Sequence, residues 1–189
     1  DWSWADMDYV AKTYGEEDVE KMLRYARQVL MKTAYRGQGE VTTLDNVRLF
    51  AEGMRAHRSG PGESGNIKIW EENERYVMEF DPCGSGGRQR RTGELDGMPP
   101  RDGEPFNLGC TSKKYPWAWN KINVPYYCVH CALWHELMMI ELKGVPAKIC
   151  DYDDDPNAPC RWYFYKDPKD IPEEFYTRLG VEKPDELKK

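Results

Sequence analysis

One stretch constrains the fold more than any other: Pro125 to Gly144, PYYCVHCALWHELMMIELKG. Pro stands near its start and Gly at its end, the asymmetry of a helix. Leu133, Trp134, Leu137, Met138, Met139 and Ile140 leave it apolar nearly all round. A helix of that kind is buried, so the rest of the chain is expected to be built around it.

Two earlier segments read as helices of the ordinary amphipathic kind. Tyr14 to Gly37 carries a stripe of Val19, Met22, Leu23, Ala26, Val29 and Leu30, with acidic residues at its opening, basic ones at its close and Gly37 as the cap. Thr42 to Gly60 carries Leu44, Val47, Leu49, Phe50 and Met54, and is stopped by Ser59-Gly60-Pro61-Gly62. From Asn66 to Gly87 the pattern changes to alternation. Ile67, Ile69, Tyr76, Val77, Met78 and Phe80 predict two strands, with Glu71 to Glu74 as their turn. Gly84 to about Tyr115 reads as a long loop, a feature that is usually functional or mobile in a compact domain. After the apolar helix, VPAKICDY predicts a strand, DDDPNAP a turn and CRWYFYK a paired strand. The fold class is therefore α+β: one domain, with an antiparallel sheet packed with three main helices. Along the chain we expect an N-terminal helical segment at 1–40, an α+β core at 41–166 carrying a Cys/His site, and a charged tail at 167–189. That tail has room for a short helix around Pro172 to Leu179.

The chain has 189 residues, enough for a sizeable core. Its net charge of −6 argues against nucleic acid or an anionic membrane surface as a partner. No apolar run approaches the roughly 20 residues of a membrane helix. The opening DWSWADMDYV has neither the basic region nor the apolar core of a signal peptide. Its Trp-rich character admits a homo-oligomer. Six cysteines at this length do not make a small disulfide scaffold. Their CxxC and Pro-Cys settings favour reduced thiols and a cytoplasmic location.

Chemistry concentrates in the apolar helix, where two cysteines and two of the three histidines fall within eight residues. Thiolate and imidazole are ligands that zinc prefers and iron accepts. In helical phase Cys128, Cys131 and His135 share one face and His130 points nearly opposite. If the helix begins later, Cys128 and His130 lie on an extended entry and both can reach a site built with Cys83. Against this stands the plain reading of cysteines and a histidine as core residues. Glu136, next to His135, is a candidate general base. In DPCGSGGRQRR, a thiol at Cys83 opens a Gly-rich loop whose backbone N–H groups can approach a ligand. Cys83 is a candidate ligand or nucleophile. Arg88, Arg90 and Arg91 suit a carboxylate, with Arg88 and Arg90 the substrate-binding candidates. Cys150 and Cys160 flank an acidic turn that lacks the order of a calcium loop. His57 reads as a helix C-cap.

The segment CALWHELMMIELKGVPAKICDYDDDPNAPCRWYFYK, with DPCGSGG upstream, resembles the L-2-amino-thiazoline-4-carboxylic acid hydrolase-like family and, more distantly, the 4-vinyl reductase domain group. The resemblance covers about the second half of the chain and implies an α/β or α+β small-molecule domain. From the second group it implies a structural zinc with Cys128, Cys150 and Cys160 as ligand candidates. Ala147 and Lys148 stand where that group has a glutamate. Locally, YYCVHC also resembles the CxHC of thioredoxin-superfamily thiol oxidases, but only 15 residues separate Cys131 from Pro146, with no room for the intervening strand and helix.

The leading expectation is a metal-dependent hydrolase acting on a small anionic, heteroatom-containing substrate. Zinc, or else iron, is held by thiolates from Cys83, Cys128 and Cys131, with His130, His135 or Cys160 completing the shell. Cys83, His130, His135 and Glu136 are the catalytic candidates. The alternatives are a small-molecule binding or sensor module with a structural Cys-rich zinc site, and a CxxC thiol–disulfide protein.

Overall fold

A computed structural model describes residues 1–34, 41–57, 67–91 and 97–189, with side chains of residues 32–34 left aside. The sequence expects a helix from Tyr14 to Gly37; the structure has that helix and another before it. Helix α1 spans Trp2–Tyr14 and α2 spans Glu16–Ala34. Gly15 separates them with φ of 109°, a conformation that glycine adopts readily and other residues rarely do. The expected cap at Gly37 lies outside the described residues. Helix α3, Thr43–Ala56, starts at Thr42, whose hydroxyl accepts the Asp45 N–H at 3.2 Å. It ends at His57, the expected C-cap. The expected stop at Ser59 to Gly62 is outside the described residues.

The alternating segment forms β1 (Ile67–Glu71) and β2 (Arg75–Phe80), joined by the expected turn. With β3 (Ile149–Asp151) and β4 (Cys160–Tyr165) they make an antiparallel sheet in the order β1-β2-β4-β3. The expected strand at 145–152 is thus shorter in the structure. In the register, Met78 pairs with Trp162, Phe80 with Cys160 and Cys150 with Trp162. The period-two pleat turns Met78, Phe80, Trp162 and Phe164 into the core. It also gathers the end of β2, the start of β4 and Cys150 of β3 at one end of the sheet.

The apolar stretch is the expected central helix, in three parts: α5 (Val129–Ala132), a π-helical stretch (Leu133–Leu137) and α6 (Met138–Lys143). Leu133 is fully buried and Leu137 nearly so, each stabilising the fold by about 1.5–3 kcal/mol. Trp134 donates its indole N–H to the Leu23 carbonyl at 2.9 Å, tying α2 to the π stretch. Gly144 caps α6 in the left-handed region. The loop after β2 contains a short helix, α4 (Gly86–Arg90). The C-terminal segment holds α7 (Glu174–Thr177). Despite its charge, it buries Ile171, Phe175, Tyr176 and Leu179 in the same core cluster as Trp4, Leu23, Phe80 and Leu133. The N-terminal helices and the tail therefore share one core with the sheet. Among the described residues no helix is long and apolar enough to cross a membrane.

Candidate metal centre

Five of the six cysteines, from four separate segments, line one cavity of about 40 Å³: Cys83, Cys128, Cys131, Cys150 and Cys160. Cys83 follows β2, Cys160 opens β4, Cys150 lies in β3, and Cys128 and Cys131 bracket the first turn of α5. The sheet end and the helix start face each other, and the thiols fill the junction. Cys110 is not among the lining residues.

The thiols influence one another electrostatically in a chain, Cys83 with Cys160, Cys160 with Cys150 and Cys150 with Cys131. Two donors face Cys83, the Gly87 N–H at 3.0 Å and the Ser85 hydroxyl at 3.6 Å. Gly86 packs so tightly that a Cβ there would sit 2.8 Å from the Cys128 sulfur and 3.1 Å from the Tyr127 ring. Only glycine fits without a shift.

His130 belongs to this cavity and His135 does not. Cys131 N–H bonds to the Cys128 carbonyl at 3.0 Å and Cys128 N–H to the Pro125 carbonyl at 2.7 Å, so the chain enters the helix in tight i→i+3 turns. This phase differs from that of a regular α-helix and brings His130 to the thiol side. Its Nδ1 pairs with the Tyr127 carbonyl, which makes Nδ1 the protonated nitrogen and leaves Nε2 as an acceptor, 3.6 Å from the Cys131 sulfur. Burial holds this imidazole below its usual pKa, hence neutral. Downstream, the π turns place more residues per turn than an α-helix and rotate His135 away. Its ring meets Phe50 and Trp162 at 6.0 and 5.3 Å between centroids.

Glu136 is also outside the cavity wall. It is fully buried, and both carboxylate oxygens are engaged. Oε1 accepts the Trp119 indole N–H and the Cys150 backbone N–H, each at 3.0 Å. Oε2 accepts from Arg178 at 2.6 Å. Burial raises its pKa, and the Arg178 charge works against that rise. Arg178 also donates to the Cys150 carbonyl at 3.0 Å. Glu136 and Arg178 thus pin Cys150 at both of its backbone groups. Sequence reading missed Arg178, since nothing in a charged tail distinguishes one arginine that turns inward.

Of the loop arginines, Arg90 reaches the cavity and Arg88 does not. Arg88 Nε donates to the Gly84 carbonyl at 3.2 Å. Arg90 donates to the Asp153 and Asp154 carbonyls at 3.2 and 2.6 Å and lies 5.1 Å over the Tyr152 ring. Arg91 donates to the Pro156 and Asn157 carbonyls, both at 2.9 Å, and pairs with Asp81 at 2.6 Å. The two arginines clasp the β3–β4 loop over the thiols, where Tyr152 stacks on Trp119 at 4.6 Å.

Clustered and buried, the thiols resist ionisation. The Cys160 thiol pushes Cys83 well above the usual thiol range, burial does so for Cys150, and the Cys150 thiol does so for Cys160. Burial takes Cys128 up to about 12. For Cys131 the Cys150 thiol favours the thiolate, but burial and the neighbouring sulfurs outweigh it, to about 11. A redox dithiol needs a low-pKa thiolate, and Cys128 is displaced the opposite way. The donor set itself, soft sulfurs with an imidazole Nε2, fits zinc or iron. Among the described residues no group of three or more His, Cys, Asp or Glu is drawn round a common point that could hold an ion. The thiols line one cavity as protonated groups and are not drawn in to a common point. Compared with known proteins, the chain matches no family model, no curated protein and no solved structure.

Proposed function

We propose that this chain is a metal-dependent enzyme acting on a small molecule, with zinc held in the thiol-lined cavity and hydrolysis as the reaction. One observation carries the reading: thiols from four chain segments converge with an imidazole Nε2 on one small cavity. Cys83, Cys128, Cys131 and Cys160 with His130 are the ligand candidates, and Cys150 adds a fifth thiol. Iron accepts the same donors. When bound, zinc supplies the positive charge that lets buried thiols ionise, together with Lewis acidity toward a substrate.

The chain's own residues would do the rest. The Gly87 N–H favours the thiolate of Cys83. His130, its tautomer fixed by the Tyr127 carbonyl, can take a proton at Nε2 when it is not itself a ligand. Arg90 adds positive charge at the cavity wall and suits an anionic substrate. Trp119, Tyr127 and Tyr152 exclude water. Hydrolysis of a heteroatom-containing acid is what the motif resemblance suggests.

A second reading has a specific observation behind it. Five thiols and an imidazole exceed the four positions of a tetrahedral shell, so the protein alone can close it, as in a binding or sensor module with structural zinc. Elemental analysis of protein purified without chelator, with a thiol titration, tests both. About one equivalent of metal and a deficit of titratable thiols are expected. Less than about half an equivalent would sink both readings. Chelation then separates them: a structural site unfolds, whereas a catalytic site loses activity and keeps its fold.

A further inference from the structure

Apart from the thiols, a second group of buried polar atoms lacks partners. Lys148 is 9% exposed and Trp162 2%. The Lys148 ammonium lies 4.1 Å from the Phe50 ring centre and 5.9 Å from that of Trp162. Phe50 and Trp162 are 4.9 Å apart, and His135 packs against both. Trp162 Nε1 and His135 Nδ1 are buried, and neither has a hydrogen-bond partner among the described residues. Lys148 likewise has no hydrogen bond or ion pair there; its contacts are the two aromatic faces.

Among the described residues the fixed charge acting on both Lys148 and His135 is the Arg27 guanidinium, and no carboxylate there acts on either. Buried polar groups are almost always satisfied, and an orphaned set signals a water or an ion that completes it. The missing chemistry here is acceptor oxygen with negative charge. Lys148 also lines a cavity of about 180 Å³ shared with Thr43, Asn46, Ile149 and Phe164; His135 and Trp162 do not line it, so Lys148 is the member of the group that a small guest entering there meets.

We infer that Lys148, His135 and Trp162 form a site for a small oxyanion, a carboxylate or an inorganic oxyanion, distinct from the thiol cavity and independent of the metal reading. The oxygens accept from Trp162 Nε1 and from His135 Nδ1 in its protonated tautomer, and the Lys148 ammonium supplies the counter-charge.

Thermal unfolding of the full chain tests the site, in sodium acetate and in sodium phosphate, each against sodium chloride at matched pH and ionic strength. The site predicts a saturable rise in Tm with at least one oxyanion. Acetate saturating first identifies a carboxylate site; phosphate saturating first identifies an inorganic-oxyanion site. Lys148→Met and the milder Trp162→Phe each abolish the saturable part. A response no different from chloride, or a saturable rise that survives Trp162→Phe, overturns the inference. Calorimetric titration of the unmodified chain with the same anions gives a readout that does not depend on any variant folding.

Discussion

The thiol cavity and the Lys148 cage flank the same helix and handle buried polarity in opposite ways. In the cavity, protonated sulfurs pack against one another, and of the lining polar groups the Tyr152 hydroxyl is left without a partner among the described residues. In the cage, donors face aromatic rings and none meets an acceptor. Under the readings proposed above, the cavity stands as neutral thiols until a cation ionises them, and the cage is the region an anion would finish. Burial sets both conditions, because it disfavours whichever charge a group would carry alone.

The largest effect expected from breaking this comparison lies at the hinge between the two regions. Glu136→Ala leaves the Cys150 and Trp119 N–H groups and the Arg178 guanidinium without their acceptor. It should destabilise the fold by about 3–5 kcal/mol in urea unfolding. A loss under about 1 kcal/mol would show that Cys150 is held by packing alone. Next comes pH. The folded pKa of Lys148 is depressed to about 7 from 10.5, so between those values the unfolded chain binds more protons. Stability should therefore rise with pH from about 7 toward 10, by a few kcal/mol at most. Lys148→Met should remove Lys148's contribution to that rise and stabilise the fold at neutral pH.

A smaller effect sharpens the cavity side. Gly86→Ala drives a methyl into the Cys128 sulfur and should cost about 1–3 kcal/mol. Cys128→Ala in the same chain should recover much of this. Additive losses would mean that the Tyr127 ring, not the sulfur, is the obstacle. The smallest effect is on the cage side. His135→Phe replaces a neutral imidazole with an unpartnered Nδ1 among aromatic rings, and should shift stability by less than about 1 kcal/mol in either direction. A large loss would show that the imidazole has a partner worth keeping.

Much of the frame was legible because local pattern and tertiary packing agree. The Ile67–Phe80 hairpin and the strand from Cys160 follow from alternation, and α3 from its apolar stripe. Ligand chemistry singled out Cys83, Cys160 and the CxxC pair, which line one cavity. What could not be read depends on contacts across the chain or on departures from ideal geometry. Helix α1 buries only Trp4, Met7 and Asp8, too few to make a stripe. The π stretch has no composition of its own, yet it and the tight entry turns decide which histidine meets the sulfurs. Arg178 lies 42 residues from Glu136, and no periodicity links the two. Ile171, Phe175, Tyr176 and Leu179 are spaced among charges and prolines, which hid the tail's burial.

The clasp over the thiols has a consequence of its own. Arg90 grips the carbonyls of Asp153 and Asp154, and Arg91 those of Pro156 and Asn157, so both guanidiniums hold main chain in that loop. Every residue type brings the same carbonyl. The grip itself is therefore indifferent to spelling, but the turn it holds is not: the Asp153 and Asp155 carboxylates accept the Asp155 and Asn157 N–H groups, each at 2.8 Å. An engineer wishing to retune what enters beneath that loop has a fixed latch to work under, provided those two carboxylates stay.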